Sequence, residues 1–383
     1  MNLILTLLFL VTIAVIGKYV FQKIPVDNLI HNFLNYSGFY YLALGVLLGP
    51  YFLNVFTEDV ISQSYFVFSL VLGWTGFLIG LQLNFKQVSR FKSAYYFKGL
   101  FYFLLNLAII FALLYVSNYL IIKKLTWLEI LLLAVAGGMT STITISLLIR
   151  TKKFDAKSGH FLEFLAAFDN VLGVLTLGIL FAAFQLSTSS QKEALFYLVS
   201  AYLIVFLFSL VYKALSKEIT SFETELLVIL AIILIVVAVS KILQNSVLFL
   251  SALLGTTVAN FKNVNIKKLY LAVQEWEKPL NFILLFFIGI ILRFDTSIIV
   301  ILIFLFMAII IIGNLISERI VFKKISKQIG FQTFGLSTVS LAILLDAYLS
   351  GAKIEFLSTV VIVYFITNLF SIYSIKKREM IVE

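Results

Sequence analysis

Residues 161–187 read FLEFLAAFDNVLGVLTLGILFAAFQLS, an apolar stretch of helix length with one aspartate, Asp169, near its middle. A helix rises about 1.5 Å per residue, so Asp169 lies ~13 Å from the start of the stretch, close to the centre of a bilayer. An ionisable group at that depth is expensive and is functional by default. The stretch therefore predicts a membrane-spanning helix that carries an ion-binding carboxylate.

The composition of the whole chain agrees with a membrane protein. The sequence has 383 residues, of which 62% are hydrophobic and 13% charged, and its mean hydropathy is +1.08. An ordinary soluble domain is about 45–50% apolar and about 25% charged. With no cysteine, the chain lacks disulfides, thiolate metal sites and cysteine nucleophiles, and with only His31 and His160 we do not expect a histidine-based metal site. We therefore expect a protein embedded in the lipid bilayer, and we expect neither an enzyme nor a cofactor.

Thirteen stretches of the chain are apolar enough to cross a bilayer, which takes about 20 residues each. In chain order, segments 1 to 13 are residues 2–20, 37–56, 62–84, 95–121, 126–149, 161–187, 193–213, 224–243, 246–261, 278–294, 297–316, 331–350 and 356–374. They run to helix length without the alternation of a transmembrane strand. The predicted fold class is therefore an all-α integral membrane protein with 13 transmembrane helices.

Lys and Arg residues alternate between the predicted loops as the positive-inside rule requires. With the N-terminus outside, all of the 29 basic residues fall in inside loops except Lys123, Lys124, Lys192, Lys241, Arg293 and Lys353. We therefore predict a multi-pass protein of the inner (plasma) membrane, with its N-terminus outside and its C-terminus in the cytoplasm. The net charge of +10 follows from this topology and does not indicate nucleic-acid binding.

The second half of the sequence resembles the first. Residues 77–85, FLIGLQLNF, parallel residues 286–294, FFIGIILRF, and three shorter parallels follow the same order. Segments 1–6 then pair with segments 8–13 in inverted orientation, an arrangement typical of secondary transporters. We predict one transmembrane domain over residues 1–383 and no soluble regulatory domain. Its parts are repeat 1 at about 1–187, a linker helix at about 193–213 and repeat 2 at about 224–374.

Glycine and hydroxyl residues cluster in the middle of segments 5 and 12, at 137–142 and 335–340. Such residues can break a helix and free carbonyls for an ion, although close helix packing explains them too. Hard monovalent cations such as Na⁺ or K⁺ suit oxygen ligands. We predict that the ion and proton ligands are Asp169 (also the metal ligand), Asn170, Thr140, Ser141 and Thr142. The supporting residues are Asn314, Ser337, Thr338, Asn368 and Asp346, the last of which is either water-facing or structural.

Four motifs in this order resemble the cation:proton antiporter superfamily, on its bacterial CPA2 branch of Na⁺/H⁺ and K⁺/H⁺ exchangers. They are GVLLGP at 45–50, FLIGLQL at 77–83, Thr140-Ser-Thr142, and AAFDNVLG at 166–173. The resemblance implies two inverted six-helix repeats that form a core domain and a dimerisation domain. The core would hold segments 4–6 and 11–13, with segments 5 and 12 crossing as broken helices. It further implies a homodimer whose core moves like an elevator.

The chain departs from the family pattern at two positions that bear on coupling. Asn170 stands where the family has a second acid, its main ion ligand, and Asn314 stands where electrogenic members have lysine. Asp169 is thus the family-position carboxylate that remains. Successive helix residues point about 100° apart, so Asp169 does not simply take the place of Asn170. Either unwound geometry lets Asp169 reach the ion, or the coupling chemistry has changed.

Three transport hypotheses follow from these observations. The first is electroneutral exchange of a monovalent cation for a proton, because a carboxylate can hold either one but not both at once. The second is a cation channel, uniporter or sensory subunit on the same fold without proton coupling. The third is Na⁺-coupled uptake of an organic solute, which ranks low because we find no deep cationic group for an anion. A membrane-embedded enzyme is disfavoured, since we find no serine with a plausible base.

Overall fold

The computed structural model describes residues 38–88, 93–123, 125–150, 156–188, 191–216, 218, 221–261, 266–293, 297–322, 335–352 and 354–382. Segment 1, predicted at 2–20, lies outside the described residues. The remaining predicted segments fall on helices, which confirms the prediction of an all-α protein. The predicted edges differ from the observed ones most at segment 2, whose helix ends at Leu48, and at segment 13, whose helix continues beyond residue 374 to Val382. The helix of segment 11 likewise continues beyond residue 316 to Val321.

The described helices are numbered here in chain order. They are α1 Phe39–Leu48, α2 Glu58–Gln63, α3 Tyr65–Leu81, α4 Phe85–Val88, α5 Ser93–Ser117, α6 Trp127–Gly137, α7 Thr142–Arg150, α8 Ala156–Thr188, α9 Gln191–Leu215, α10 Phe222–Ile242, α11 Val247–Ala259, α12 Ile266–Glu275, α13 Glu277–Ile291, α14 Ser297–Val321, α15 Thr338–Leu349 and α16 Ile354–Val382. A π-helical turn, Asn118–Ile122, continues α5.

Four of the described helices are each long and apolar enough to cross a membrane. These spans are Ser93–Ile122, Gly159–Ala183, Phe222–Ile242 and Ile299–Val321. Other apolar helices are shorter, partly because segment 5 is divided between α6 and α7 and the helix of segment 12 begins only at Thr338. The count of thirteen spans therefore stays a prediction.

The chain divides into two compact units, each described here by itself. Within the described residues, the first unit comprises 41–88 and 174–291, and the second comprises 38–40, 93–173 and 292–382. In the first unit, α3 packs closely against α11. Asn84 Nδ2, beyond the end of α3, donates to the Ala259 carbonyl at 3.1 Å, and Asn260 Nδ2 donates back to the Leu83 carbonyl at 2.9 Å. These two side-chain hydrogen bonds hold the ends of α3 and α11 together.

Gly80 permits the close approach of α3 and α11. A Cβ atom at this position would meet the Ala252 carbonyl oxygen well inside van der Waals contact. Backbone atoms cannot move aside as a flexible side chain can, so a methyl group must push the two helices apart. Residue 80 therefore has to be glycine for packing, as in other close helix contacts within membranes.

We expect Gly80→Ala to destabilise the protein by about 1–3 kcal/mol, the usual penalty for overpacking. The measurement is the thermal unfolding midpoint of the purified protein in detergent. Gly159→Ala is the matched control, because a Cβ there would meet only ordinary contacts with Ile149 at 3.5–3.7 Å. A midpoint that falls equally in both variants would contradict this account of the packing.

The second unit contains the broken segment 5. Helix α6 begins at a capping box, in which the Thr126 hydroxyl accepts from the Glu129 N–H and the Glu129 carboxylate accepts from the Thr126 N–H. It ends at Gly137, and α7 begins at Thr142. Between the two half-helices, Gly138 forms a turn and Thr140 takes part in a β-bridge. Helices α5, α14, α15, α16 and the first part of α8 belong to the same unit.

Candidate functional site

The extended residues of segment 5 pair with the extended residues that precede α15. Thr140 and Leu336 form an antiparallel β-bridge. The Ser141 N–H donates to the Gly335 carbonyl at 2.8 Å, and the Ser337 N–H donates to the Met139 carbonyl at 3.3 Å. The two breaks thus satisfy each other's backbone groups in the interior of the unit, where an unpaired peptide group would be costly.

One predicted ion ligand, Ser141, and one predicted supporting residue, Ser337, cap helices. The Ser141 hydroxyl accepts from the Thr144 N–H at 3.2 Å at the start of α7. The Ser337 hydroxyl accepts from the Val339 N–H at 3.2 Å at the start of α15. Serine is a favoured N-cap residue because its oxygen satisfies an N–H that has no partner within the helix. Both side chains are buried, so these caps fix the geometry of the site.

Asp169 lies fully buried in the middle of α8. Its Oδ2 accepts from the Thr140 hydroxyl at 2.9 Å, which ties the carboxylate to the helix break. Among the described residues, its Oδ1 is buried without a hydrogen-bond partner, and so is the Oδ1 of Asn170, which is 7% exposed. Within the part of the chain that the structure describes, no Lys or Arg forms an ion pair with Asp169. A fully buried carboxylate with a free acceptor oxygen can take up a proton or a cation, but not both.

Asn368 on α16 connects the two breaks. Its Oδ1 accepts from the Thr144 hydroxyl at 2.9 Å, and its Nδ2 donates to the Leu336 and Tyr364 carbonyls at 3.0 and 2.8 Å. A Cβ on Gly335 would collide with the Asn368 amide oxygen, which explains glycine there. Asn368 thus supports the site by holding the two breaks together through its hydrogen bonds to other residues of the protein.

Asn314 also bonds to the protein. Its Oδ1 accepts from Asn106 Nδ2 at 2.6 Å, and the Tyr102 hydroxyl lies 3.5 Å from the same oxygen. Asn106 Nδ2 lies 3.3 Å from the Gly138 carbonyl, at the end of α6. A neutral amide network therefore occupies the place where electrogenic relatives were expected to have a lysine.

The remaining predicted residues differ in exposure. The Thr142 side chain is exposed, and Thr338 is partly buried. Asp346, on α15, is only 1% exposed, which argues against the water-facing alternative. Asp346 stays a candidate for a structural role.

Sequence analysis missed a buried acid, Glu318, which is 5% exposed near the end of α14. The prediction ended segment 11 at residue 316 and so placed Glu318 outside the membrane-spanning part. One signal was available, because Glu318 follows Asn314 by four residues and therefore lies on the same face of a continuous helix. Among the described residues, no group of three or more His, Cys, Asp or Glu side chains is arranged to hold a metal ion. Hydroxyl, amide and single carboxylate oxygens are the groups available at the crossing.

Comparisons with known proteins give one family and one fold. The family model described as sodium/hydrogen exchanger, transmembrane, matches residues 3–376. The sodium proton antiporter MjNhaP1 from Methanocaldococcus jannaschii at pH 8 superimposes with a TM-score of 0.68 at 15% identity, covering 97% of this chain and 96% of that chain. A second structure of that antiporter, from electron microscopy, gives a TM-score of 0.62 at 15% identity, with 99% and 97% covered. A search of curated proteins found no match.

Proposed function

Because the chain belongs to the sodium/hydrogen exchanger family, we propose that it exchanges a monovalent cation, Na⁺ or K⁺, for protons, with Asp169 as the shared carrier. Membership confirms the cation:proton antiporter superfamily that the motifs predicted, and the CPA2 branch stays a prediction. The chain is a multi-pass membrane protein whose family and structural neighbours are transporters and not enzymes.

The surroundings of Asp169 carry the proposal. The side chain is fully buried, one carboxylate oxygen accepts from Thr140 at the helix break, and the other has no hydrogen-bond partner among the residues that the structure describes. An isolated negative charge in that position is unfavourable, so the carboxylate holds either a proton or a cation. A proton and a cation cannot occupy the Asp169 carboxylate at the same time. On each side of the membrane, the release of one is therefore linked to the uptake of the other.

The proposed cycle is alternating access with the breaks as part of the moving unit. From the family resemblance we infer two inverted six-helix repeats, a linker helix at about 193–213 and a homodimer. The inner membrane, with the N-terminus outside, follows from the distribution of Lys and Arg. Asn170, Thr142 and Thr338 are further oxygen donors to the cation in this proposal, whereas Ser141, Ser337 and Asn368 hold the backbone in place.

We expect exchange to be electroneutral. Asp169 is the one carboxylate in the proposed carrier, so each cycle moves one cation against one proton, and Asn314 contributes no charge. The test uses proteoliposomes with an internal pH dye, equal K⁺ on both sides and an imposed pH difference, to which Na⁺ is added. Proton movement should follow the addition at a rate that valinomycin does not change. Valinomycin should accelerate an electrogenic exchanger by removing the opposing potential.

K⁺ and Li⁺ are tested in separate vesicles without valinomycin, with impermeant organic cations replacing the other salts. Absence of proton movement with any of the three cations, from protein that elutes as a single folded species, would overturn exchange.

A second candidate function is a cation channel or uniporter on the same fold. It is favoured by Asn170 and Asn314, which replace the acid and the lysine expected of proton-coupled relatives. Planar-bilayer recordings separate the two candidates. A current that reverses at the Nernst potential of the cation and does not change with pH supports the channel, and silent bilayers together with proton flux in vesicles support exchange.

A further inference from the structure

A buried tyrosine lies between two buried acids in the second unit. Tyr102, on α5, is 2% exposed, and its hydroxyl interacts with the hydroxyl of Thr140. The same hydroxyl lies 3.5 Å from the amide oxygen of Asn314. The Thr140 hydroxyl in turn donates to Asp169 Oδ2 at 2.9 Å, and Glu318 follows Asn314 by one helical turn on α14. The hydroxyl is therefore placed where a proton moving between the two acids would pass.

The face of α14 explains why Glu318 is near Tyr102. Asn314, Glu318 and Phe322 follow one another at intervals of four residues, so they lie along one side of the helix and its end. Two of them contact Tyr102 directly, since Asn314 faces its hydroxyl and the Phe322 ring lies 5.2 Å from its ring. Glu318 stands between these two contacts on the same side.

An apolar cluster surrounds the tyrosine ring. It consists of Tyr102, Phe161, Leu165 and Phe322, with ring centroids of Phe161 and Phe322 5.3 Å apart. Of these four buried side chains, only Tyr102 carries a polar atom. A hydrated cation has no oxygen ligands to replace its water in such a cluster, whereas a proton can pass along hydroxyl groups.

We propose that Glu318 is a proton-relay residue for Asp169, with the Tyr102 and Thr140 hydroxyls as the connecting groups. The inference rests on the proposed function, because a relay matters only if protons are transported. Glu318 gives up one proton and Asp169 gains one. Each hydroxyl between them releases its own proton to the next oxygen and accepts one from the previous oxygen, so both are unchanged at the end. In the reverse direction, the same groups carry the proton from Asp169 to Glu318.

The position of Glu318 suits the outer end of such a relay. It lies three residues before Val321, the last residue of α14, and the next two residues, Arg319 and Ile320, are exposed. Asp169, in contrast, lies in the middle of α8 and is fully buried. In the proposed relay, Glu318 is therefore the group that exchanges protons with water.

The experiment compares two transport modes in the same proteoliposomes. Na⁺/H⁺ exchange is followed with the internal pH dye, and Na⁺/Na⁺ exchange is followed with radioactive Na⁺ at equal pH on both sides. Only the first mode needs protons. We expect Tyr102→Phe and Glu318→Gln to slow Na⁺/H⁺ exchange by about tenfold or more, a modest effect for removing a proton-transfer group. Na⁺/Na⁺ exchange should stay close to that of the wild type.

Matched variants separate the relay from packing. Tyr95→Phe removes a hydroxyl from a ring that packs on the same cluster, and it should leave both modes unchanged. Glu318→Asp should restore part of the Na⁺/H⁺ rate. Equal loss of both modes in Tyr102→Phe and Glu318→Gln, or an unchanged Na⁺/H⁺ rate in them, would overturn the relay. A wild-type protein that shows Na⁺/Na⁺ exchange but no proton movement would instead overturn the proposed function, and the relay with it.

Discussion

Asp169→Asn should abolish cation-driven proton movement in proteoliposomes while leaving the protein folded. The amide has nearly the same shape as the carboxylate, and its oxygen can still accept from the Thr140 hydroxyl, which lies 2.9 Å from Oδ2 in the wild type. It cannot take up or release a proton near neutral pH, and it has no charge to balance a cation. Binding and coupling are therefore lost together, whereas packing is kept.

The measurement is the rate of internal pH change on addition of Na⁺, K⁺ or Li⁺ to vesicles with equal amounts of each protein. Glu163→Gln is the matched control, because it removes an acid from the same helix at an exposed position. The control should retain the wild-type rate, and both proteins should have the wild-type unfolding midpoint. Proton exchange that persists in Asp169→Asn would mean that another group carries the proton, and Glu318 would be the first to test.

Much of the fold was predictable because it follows from apolar length. Helix α8 covers 156–188 where segment 6 was predicted at 161–187, and α10 covers 222–242 where segment 8 was predicted at 224–243. The predicted helix ends were wrong where polar residues lie inside a helix. Glu318 and Arg319 ended the apolar pattern of segment 11, yet α14 continues past them, because Glu318 is buried by tertiary contacts that no local pattern reveals.

The sequence indicated which residues belong to the site better than it indicated what each residue does there. The glycine and hydroxyl clusters correctly located the interruption after Gly137 and the extended residues before Thr338. A serine hydroxyl, however, can bind an ion or cap a helix, and the sequence does not distinguish the two. The structure shows Ser141 and Ser337 as caps, each accepting an N–H two or three residues ahead. Only the exact start of the helix decides this role, and helix starts are the least certain part of a sequence-based prediction.

The hydrogen bonds of the amides could not be predicted at all. Asn314 was predicted as a supporting residue at the position of a lysine, and the structure pairs it with Asn106, which is distant in sequence. Asn368 likewise bonds to Thr144 and Leu336, on other elements. Such pairings depend on which helices become neighbours, and a single sequence carries that information only weakly.

Asn170→Asp should convert electroneutral exchange to electrogenic exchange. The Oδ1 of Asn170 is buried and has no hydrogen-bond partner in the described part of the chain, and Asn170 directly follows the residue that carries the acid. A carboxylate there adds a second group that must be neutralised before the carrier can cross empty of cation. Two buried carboxylates then return with two protons for each monovalent cation, and one net charge crosses the membrane per cycle. A membrane potential of about 100 mV changes the free energy of moving that charge across the membrane by about 2.3 kcal/mol, which is enough to change the transport rate.

The measurement repeats the Na⁺ experiment with and without valinomycin at equal K⁺ on both sides. In Asn170→Asp, valinomycin should raise the rate severalfold, and an imposed potential should speed or slow exchange according to its sign. The matched control is the double variant Asp169→Asn/Asn170→Asp, which moves the carboxylate by one residue and keeps a single charge. If it is active, it should remain insensitive to potential. If Asn170→Asp is active but insensitive to potential, the number of buried carboxylates does not set the charge moved per cycle. The electroneutrality of the wild type would then need another cause. The next candidate is the amide network of Asn106 and Asn314, which supplies no positive charge to the site.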